Sequence, residues 1–313
     1  MIPILTIIAP IFGIIAVGYL SGRTGYLSDA AARGIGDFAF NITIPALLFR
    51  TIVLAKFGEV APLGILASFF GSAAAVWALS ALLTRFVLRR PAVDGPSIAV
   101  CAVFGNVVML GLPIGVATFG NEALAPLSVI LAVHAPIFLL SATLHSAAVE
   151  TREGQTIWAA LGGIGRTLSR QPIIVAIISA SVWRTTGFDV PAPIMGMLEM
   201  LSRAGLPAAL VALGLSLRNF EVRGNVATLS VLLGLKLIAL PFFAAVMAYG
   251  VFRLPDMSAK VVVLTASLPS GANAYLFALK SGRVVNSASG AVAIGTAVSA
   301  ITLAVLLIVL HQV

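Results

Sequence analysis

The sequence predicts an all-α polytopic membrane protein of ten spans, arranged as two inverted five-helix repeats with the fourth and ninth spans broken. Three observations predict it. Hydrophobic residues make up 60% of the chain and charged residues 10%, with a mean hydropathy of +1.09, whereas a soluble domain carries about 25% charged residues. The apolar runs recur at a fixed offset between the two halves. Two of those runs are interrupted by Pro and Gly at corresponding positions.

A helix needs about 17–25 apolar residues to cross the hydrocarbon core. The runs of that kind are Pro3–Leu20, Gly34–Ala55, Ala61–Thr84, Ser97–Thr118 and Ala123–Ala147 in the first half. In the second half they are Gln171–Gly187, Ile194–Leu217, Asn225–Gly250, Met257–Leu279 and Val284–Leu310. Met1–Leu20 has no basic residue before its apolar run and no small-residue cleavage site. It therefore reads as a span and not as a cleavable signal. Cys101 is the single cysteine and reads as a small buried residue.

The net charge is +8, but its placement does not suit nucleic acid. Arg23, Arg33, Arg85, Arg89, Arg90, Arg152, Arg166, Arg170, Arg218, Arg223, Lys280 and Arg283 lie in odd-numbered loops. Only Lys56, Arg184, Arg253 and Lys260 lie in even-numbered loops or at the span ends that border them. The positive-inside rule then makes the odd loops cytoplasmic and puts both termini outside. The expected location is an integral plasma membrane, the inner membrane in a bacterium.

The halves, residues 1–147 and 171–313, repeat at an offset of 162 residues, which carries Asp37 onto Glu199 and Pro45 onto Pro207. The same offset carries 61–84 onto 223–246, 97–118 onto 259–280 and 123–147 onto 285–309. Five spans per half is an odd number, so the second half enters the membrane inverted, as in inverted-repeat transporters. The connector, residues 148–170, places Trp158, Leu161, Ile164 and Leu168 at helical spacing opposite Arg166 and Arg170. That pattern reads as a short amphipathic helix on the inner leaflet.

Within the fourth span, Gly105, Gly111, Pro113 and Gly115 weaken the helix, and within the ninth Pro269 and Gly271 do the same. A helix in lipid must satisfy its own backbone, so a break at mid-depth is tolerated only against protein or a wet cavity. The half-helices that follow would present N-terminal partial positive charge there, which suits an anion. Asn106 and Asn273 add side-chain amides able to donate to a carboxylate. Ser267 and Ser270 add hydroxyls. Matched breaks of this kind point to a substrate site. The bland reading is a pair of Pro/Gly kinks filled by neighbouring side chains.

Intramembrane charges are functional candidates by default. Lys236 lies near the middle of the eighth span. It is a candidate to support the breaks by donating to freed carbonyls, to meet the substrate, or to pair with Asp37 or Glu199. Glu199 and Arg203 stand four apart and read as a local pair. Asp37 and Arg50 read as interfacial. His134 reads as a neutral hydrogen-bonded core residue or as a proton relay, and His145 lies nearer the cytoplasmic end.

No acidic residue lies in either broken segment, which argues against a sodium/proton antiporter. An intramembrane enzyme lacks support: there is no H-E-x-x-H helix and no nucleophile beside a base. No metal ligand set and no cofactor is expected. A channel on this scaffold would differ by its far faster conductance.

At these residues the chain resembles the auxin efflux carrier family, which includes PIN-like carriers and bacterial malonate or malate permease homologues. The carrying segments are residues 44–49, 106–113, 201–206 with 213–215, 268–271 followed by Phe277-Ala278, and 287–300. The resemblance implies a scaffold domain and a transport domain, with an elevator-like movement of crossed broken helices carrying an organic anion. It implies Asn106 as the asparagine of the first broken helix, Pro113 as its crossover proline, and Pro269 and Gly271 as the second crossover. Protons, less readily sodium, are the coupling ions in view, and a homodimer through the scaffold is consistent with it. The chain departs from plant carriers in having no long central hydrophilic loop. A sodium-coupled symporter of the bile-acid type is the alternative on the same scaffold.

Overall fold

A computed structural model describes residues 4–54, 61–149, 171–220 and 225–312. The expected amphipathic connector helix falls almost wholly outside the described residues. Among those described, the chain is all-helical: the only β-type pairing is one isolated antiparallel bridge. Seven helices are long and apolar enough to cross a membrane, and Ala92–Val103 and Pro172–Thr185 are shorter apolar helices. The predicted count was ten. The ninth run is divided between Asp256–Ser267 and Ala272–Ser281, the fourth is divided between Ala92–Val103 and a stretch from Val107 that continues through the fifth to Val149, and the sixth is a single helix of 14 residues.

The chain forms two compact units, each drawn from both halves of the sequence. The first holds Met1–Val60, Val108–Ala132 and Thr167–Asn219. Its helices are α1, Ile4–Arg23; α2, Asp29–Phe38, which runs through a π turn at Ala39–Thr43 into α3, Ile44–Leu54; α6, Leu112–Phe119; α8, Pro172–Thr185; and α9, Ala192–Leu217. Helix α2 starts where the Ser28 hydroxyl accepts from the Ala31 N–H, with Asp29 in the first turn. The π turn precedes Pro45, whose ring removes a ladder donor, and a wider turn accommodates that loss.

Close approach of α1 and α9 builds the core of this unit. A Cβ added at Gly18 would lie 2.5 Å from the Val211 carbonyl oxygen, and one at Gly214 would strike the Ile15 carbonyl. Small residues at a helix crossing let backbones meet, the usual device where lipid gives no hydrophobic drive. Arg218, just past the end of α9, donates to the Gly22 carbonyl at 2.6 Å and pairs with Asp29.

The second unit holds Ala61–Val107, Val133–Arg166 and Phe220–Val313. It contains α4, Pro62–Phe86, and α5, Gly95–Val103. It also contains the later part of α7, Leu124–Val149. A near-continuous helix follows: α10, Val226–Gly234, a π turn at Leu235–Ala239, α11, Leu240–Ala245, and a second π turn at Val246–Val251. Two short helices come next, α12, Asp256–Ser267, and α13, Ala272–Ser281, and then α14, Val285–Gln312. Helices α5 and α12 form the sealed centre: every residue of Gly95–Val103, and nine of the twelve of Asp256–Ser267, are buried.

Candidate functional site

The backbone leaves its helices at two places in the second unit, and those places meet. Helix α5 ends at Phe104, which turns extended at φ −77°, ψ 93°. Helix α12 ends at Leu268, extended at φ −65°, ψ 147°. Gly105 and Ser270 then face one another in an antiparallel bridge. The Asn106 N–H donates to the Pro269 carbonyl at 2.9 Å, and the Gly271 N–H donates to the Phe104 carbonyl at 2.9 Å. Each segment thus satisfies backbone groups that the other has lost, as a water-poor interior requires.

Side chains complete the repair. The Ser270 hydroxyl donates to the Cys101 carbonyl at 2.7 Å. Lys236 Nζ donates to the Ala266 carbonyl at 2.8 Å. Both carbonyls lie in the last turns of α5 and α12, where no helical N–H reaches them. Lys236 is 1% exposed and makes no ion pair among the described residues. It sits in the π turn Leu235–Ala239, which the apolar pattern of the eighth span did not reveal.

The approach is tight. A Cβ at Gly105 would lie 3.3 Å from Lys236 Nζ, and one at Gly271 would lie 3.2 Å from the Gly105 carbonyl oxygen. Asn106 is 7% exposed, and its Nδ2 is a buried donor with no partner among the described residues. Ser267 donates to its own helix at Leu264. Asn273 is exposed in the first turn of α13. His134 packs edge-on against Phe104, centroids 4.6 Å apart, and against Phe138 at 4.9 Å. Its Nε2 is also buried without a partner among the described residues.

The chain opens at Phe104–Asn106, not at Pro113. Pro113 lies in the first turn of α6, after a π turn at Val107–Gly111, where a missing N–H costs little. Gly111 ends that π turn. In the first unit Pro113 lines a cavity of about 540 Å³ together with Arg50, Glu199, Ser202, Arg203 and apolar side chains. There Glu199 accepts from Arg203 at 2.6 Å and faces Arg50 at 3.6 Å. Asp37 is exposed.

Sequence reasoning missed the link from Arg50 to Glu199, the Ser270–Cys101 bond and the edge-on contact of Phe104 with His134. The only signal for the first was a charge inside an apolar run. The other two pair residues that are distant in sequence and carry no local signal.

The family described as membrane transport protein matches residues 3–307. The chain belongs to this family. It is the auxin efflux carrier, PIN-like family that the motifs resemble. This membrane transport protein is 23% identical over 315 residues to the "Putative malonate transporter" of Rhizobium meliloti, covering 100% of this chain and 97% of that one. It is 26% identical over 305 residues to an "Uncharacterized transporter" of Methanothermobacter thermautotrophicus, covering 93% of each. A stretch of 49 residues is 39% identical to the mouse "Lysosomal cholesterol signaling protein", covering 16% of this chain and 6% of that one. These are names of transporters and of a signalling protein, not of enzymes. With seven apolar helices of spanning length among the described residues, the chain is an integral membrane transporter whose partners are a small-molecule substrate and the lipid bilayer.

Proposed function

We propose that this transporter carries a small organic anion, a carboxylate such as malonate, malate or an auxin-like acid, bound beside the Gly105–Ser270 bridge. The observation that carries the reading is the Asn106 amide. Its buried Nδ2 has no protein partner among the described residues, and an unmade donor in a sealed interior costs about 1–3 kcal/mol. A carboxylate oxygen removes that cost. The first-turn N–H groups of Ala272–Ser281 add partial positive charge next to Gly271. The malonate named for the Rhizobium relative is a carboxylate.

The chain is read as ten spans in two inverted repeats that move by elevator-type alternating access. The grouping of segments supports this in part: 1–60 lies with 167–219 in one unit and 61–107 with 223–269 in the other, each related by the 162-residue offset, whereas 108–132 and their counterparts 270–294 belong to different units. Pro269, Ser270 and Gly271 shape the crossing, Lys236 supports it, and His134 lies one ring away. Gly111 and Pro113 let the chain resume its helix beyond Asn106. The membrane is read as a bacterial inner membrane with both termini outside, and a homodimer through the scaffold fits the family.

The test is thermal stabilisation of the purified protein by malonate, with and without sodium, in wild type and in Asn106→Ala. A ligand that binds only the folded state raises the unfolding midpoint. Stabilisation that Asn106→Ala weakens about tenfold, the scale of one charge-assisted hydrogen bond, supports the site. Equal stabilisation of both proteins rejects Asn106 as a ligand. A strict sodium requirement moves the reading to a bile-acid-type symporter.

A further inference from the structure

A second cavity, of about 340 Å³, lies in the second unit where α4 ends and α7 ends. It is lined by Thr84, Arg85, Arg90, Gly95 and His145 among others. Three segments bring basic or donor groups to it: the last turn of α4, the loop before α5, and the end of α7. No carboxylate lines it among the described residues.

Some of the polar groups there are held by neighbours outside the cavity. Arg90 donates through Nε to the Thr228 hydroxyl at 3.1 Å and through one terminal nitrogen to Asp94 at 3.0 Å. Its other terminal nitrogen has no partner among the described residues. Asp94 is also faced by Arg283 at 3.7 Å, so its charge is already shared. Arg85 is exposed, makes no ion pair among the described residues, and stacks 5.8 Å from the Phe86 ring.

His145 has a fixed tautomer. The indole Nε1–H of Trp77 donates to His145 Nδ1 at 3.1 Å, so the neutral ring carries its proton on Nε2. That outer edge lies over Gly95. A Cβ at Gly95 would be 3.2 Å from His145 Cε1 and 3.4 Å from Nε2. Any larger residue at position 95 would crowd the ring.

The Arg85 guanidinium, the remaining terminal nitrogen of Arg90 and the His145 Nε2–H are donors around one cavity that an entering anion would meet. The planar guanidinium fork matches a phosphate oxygen pair. Depth selects the source. Arg85 and Trp77 lie in the second half of a 25-residue apolar helix, with Arg85 in its last turn, at the membrane–water boundary where basic pockets between helices take anionic headgroups. We propose that this cavity is a phosphate-binding site, occupied in the membrane by the phosphodiester of an anionic phospholipid. It stands independently of the carboxylate reading, since none of its residues belongs to the bridge.

The test uses the full chain in nanodiscs of phosphatidylcholine, and in nanodiscs of four parts phosphatidylcholine to one part phosphatidylglycerol. In parallel, the chain in detergent is titrated with inorganic phosphate against sodium chloride at equal ionic strength. The readouts are the apparent unfolding midpoint and the lipid retained in native mass spectrometry. The expected result is a raised midpoint and retained phosphatidylglycerol in wild type. In Arg85→Gln and His145→Gln both are lost, and binding is about tenfold weaker, the scale of one charge-assisted hydrogen bond. Stabilisation by inorganic phosphate without any phosphatidylglycerol effect supports the site and names a soluble phosphate as its source. If neither probe acts on wild type, or if Arg85→Gln keeps the full effect, the proposal fails. Arg85 is exposed, so Arg85→Gln decides the matter even if His145→Gln does not fold.

Discussion

The ammonium nitrogen of Lys236 lies 2.8 Å from the carbonyl oxygen of Ala266, and both residues are sealed from solvent at 1% and 0% exposure. A long side chain on one element thus replaces the backbone N–H that α12 loses at its end. Removing it leaves a buried carbonyl unmet, at a cost of about 1–3 kcal/mol. Lys236→Met should therefore lower the apparent unfolding midpoint by several degrees in detergent. An unchanged midpoint would mean that this bond contributes nothing.

Ser270 plays the matching part for α5 through the Cys101 carbonyl. Ser270→Ala should cost about 1 kcal/mol, the smaller value because a neutral hydroxyl is lost and not a cation. Both side chains serve the same small region. The double variant with Lys236→Met should depart from additivity by about 0.5 kcal/mol or more. Strict additivity in a four-point cycle of unfolding midpoints would contradict a shared structure.

Gly105 and Gly271 leave only tight space for a methyl group. A Cβ at Gly105 meets Lys236 Nζ at 3.3 Å and the Thr265 carbonyl at 3.6 Å, and one at Gly271 meets the Gly105 carbonyl at 3.2 Å. Gly105→Ala and Gly271→Ala should push the two segments apart and, if the proposed carboxylate site is right, reduce uptake of that carboxylate into proteoliposomes about tenfold, because small displacements in a binding site carry large rate penalties. Normal uptake by either variant would show that the bridge can widen freely.

The crossing of α1 and α9 offers a test with an internal control. Gly18→Ala and Gly214→Ala each force a backbone shift, expected to cost about 1–3 kcal/mol. Gly13 has nothing within 4 Å of an added Cβ. Gly13→Ala should be neutral or stabilise by about 0.5–1 kcal/mol through helix propensity. The measurement is the unfolding midpoint of the three variants side by side, and equal losses in all three would show that crowding is not the cause.

Glu199 accepts from Arg203 at 2.6 Å, yet the side chains of Arg203 and Glu199 are 78% and 40% exposed. Such an exposed pair four residues apart contributes little to stability. Glu199→Gln should therefore leave the unfolding midpoint nearly unchanged, with any loss coming mostly through Arg50, the less exposed partner at 27%. A large fall in the midpoint would place Glu199 in a buried network that its exposure denies.

Much of this architecture is legible in the residues themselves. Apolar runs of spanning length announce helices whatever they pack against, because lipid forces each backbone to satisfy itself. Ser28 marks the start of α2 and the Gly105, Pro269 and Gly271 positions mark where helices fail, since these effects act within a few residues. The Pro113 reading shows the limit. A proline weakens a helix interior but suits a first turn, and only the position of the π turn Val107–Gly111 tells which applies. The π turn at Lys236 was likewise hidden, because its residues are as apolar as the helix around them.

Composition and patterning alone determined that this protein lives in a membrane, that it is helical throughout its long runs, and that two of those runs are interrupted. Tertiary structure decided which groups repair the interruptions: Pro269 for Asn106, Phe104 for Gly271, Ser270 for Cys101 and Lys236 for Ala266. It also decided which donor was left over, the Asn106 amide. The reason is physical. Burial and helix-breaking are properties of a residue and its neighbours in the chain. A hydrogen bond between positions as far apart as 106 and 269 depends on the packing of every helix between them.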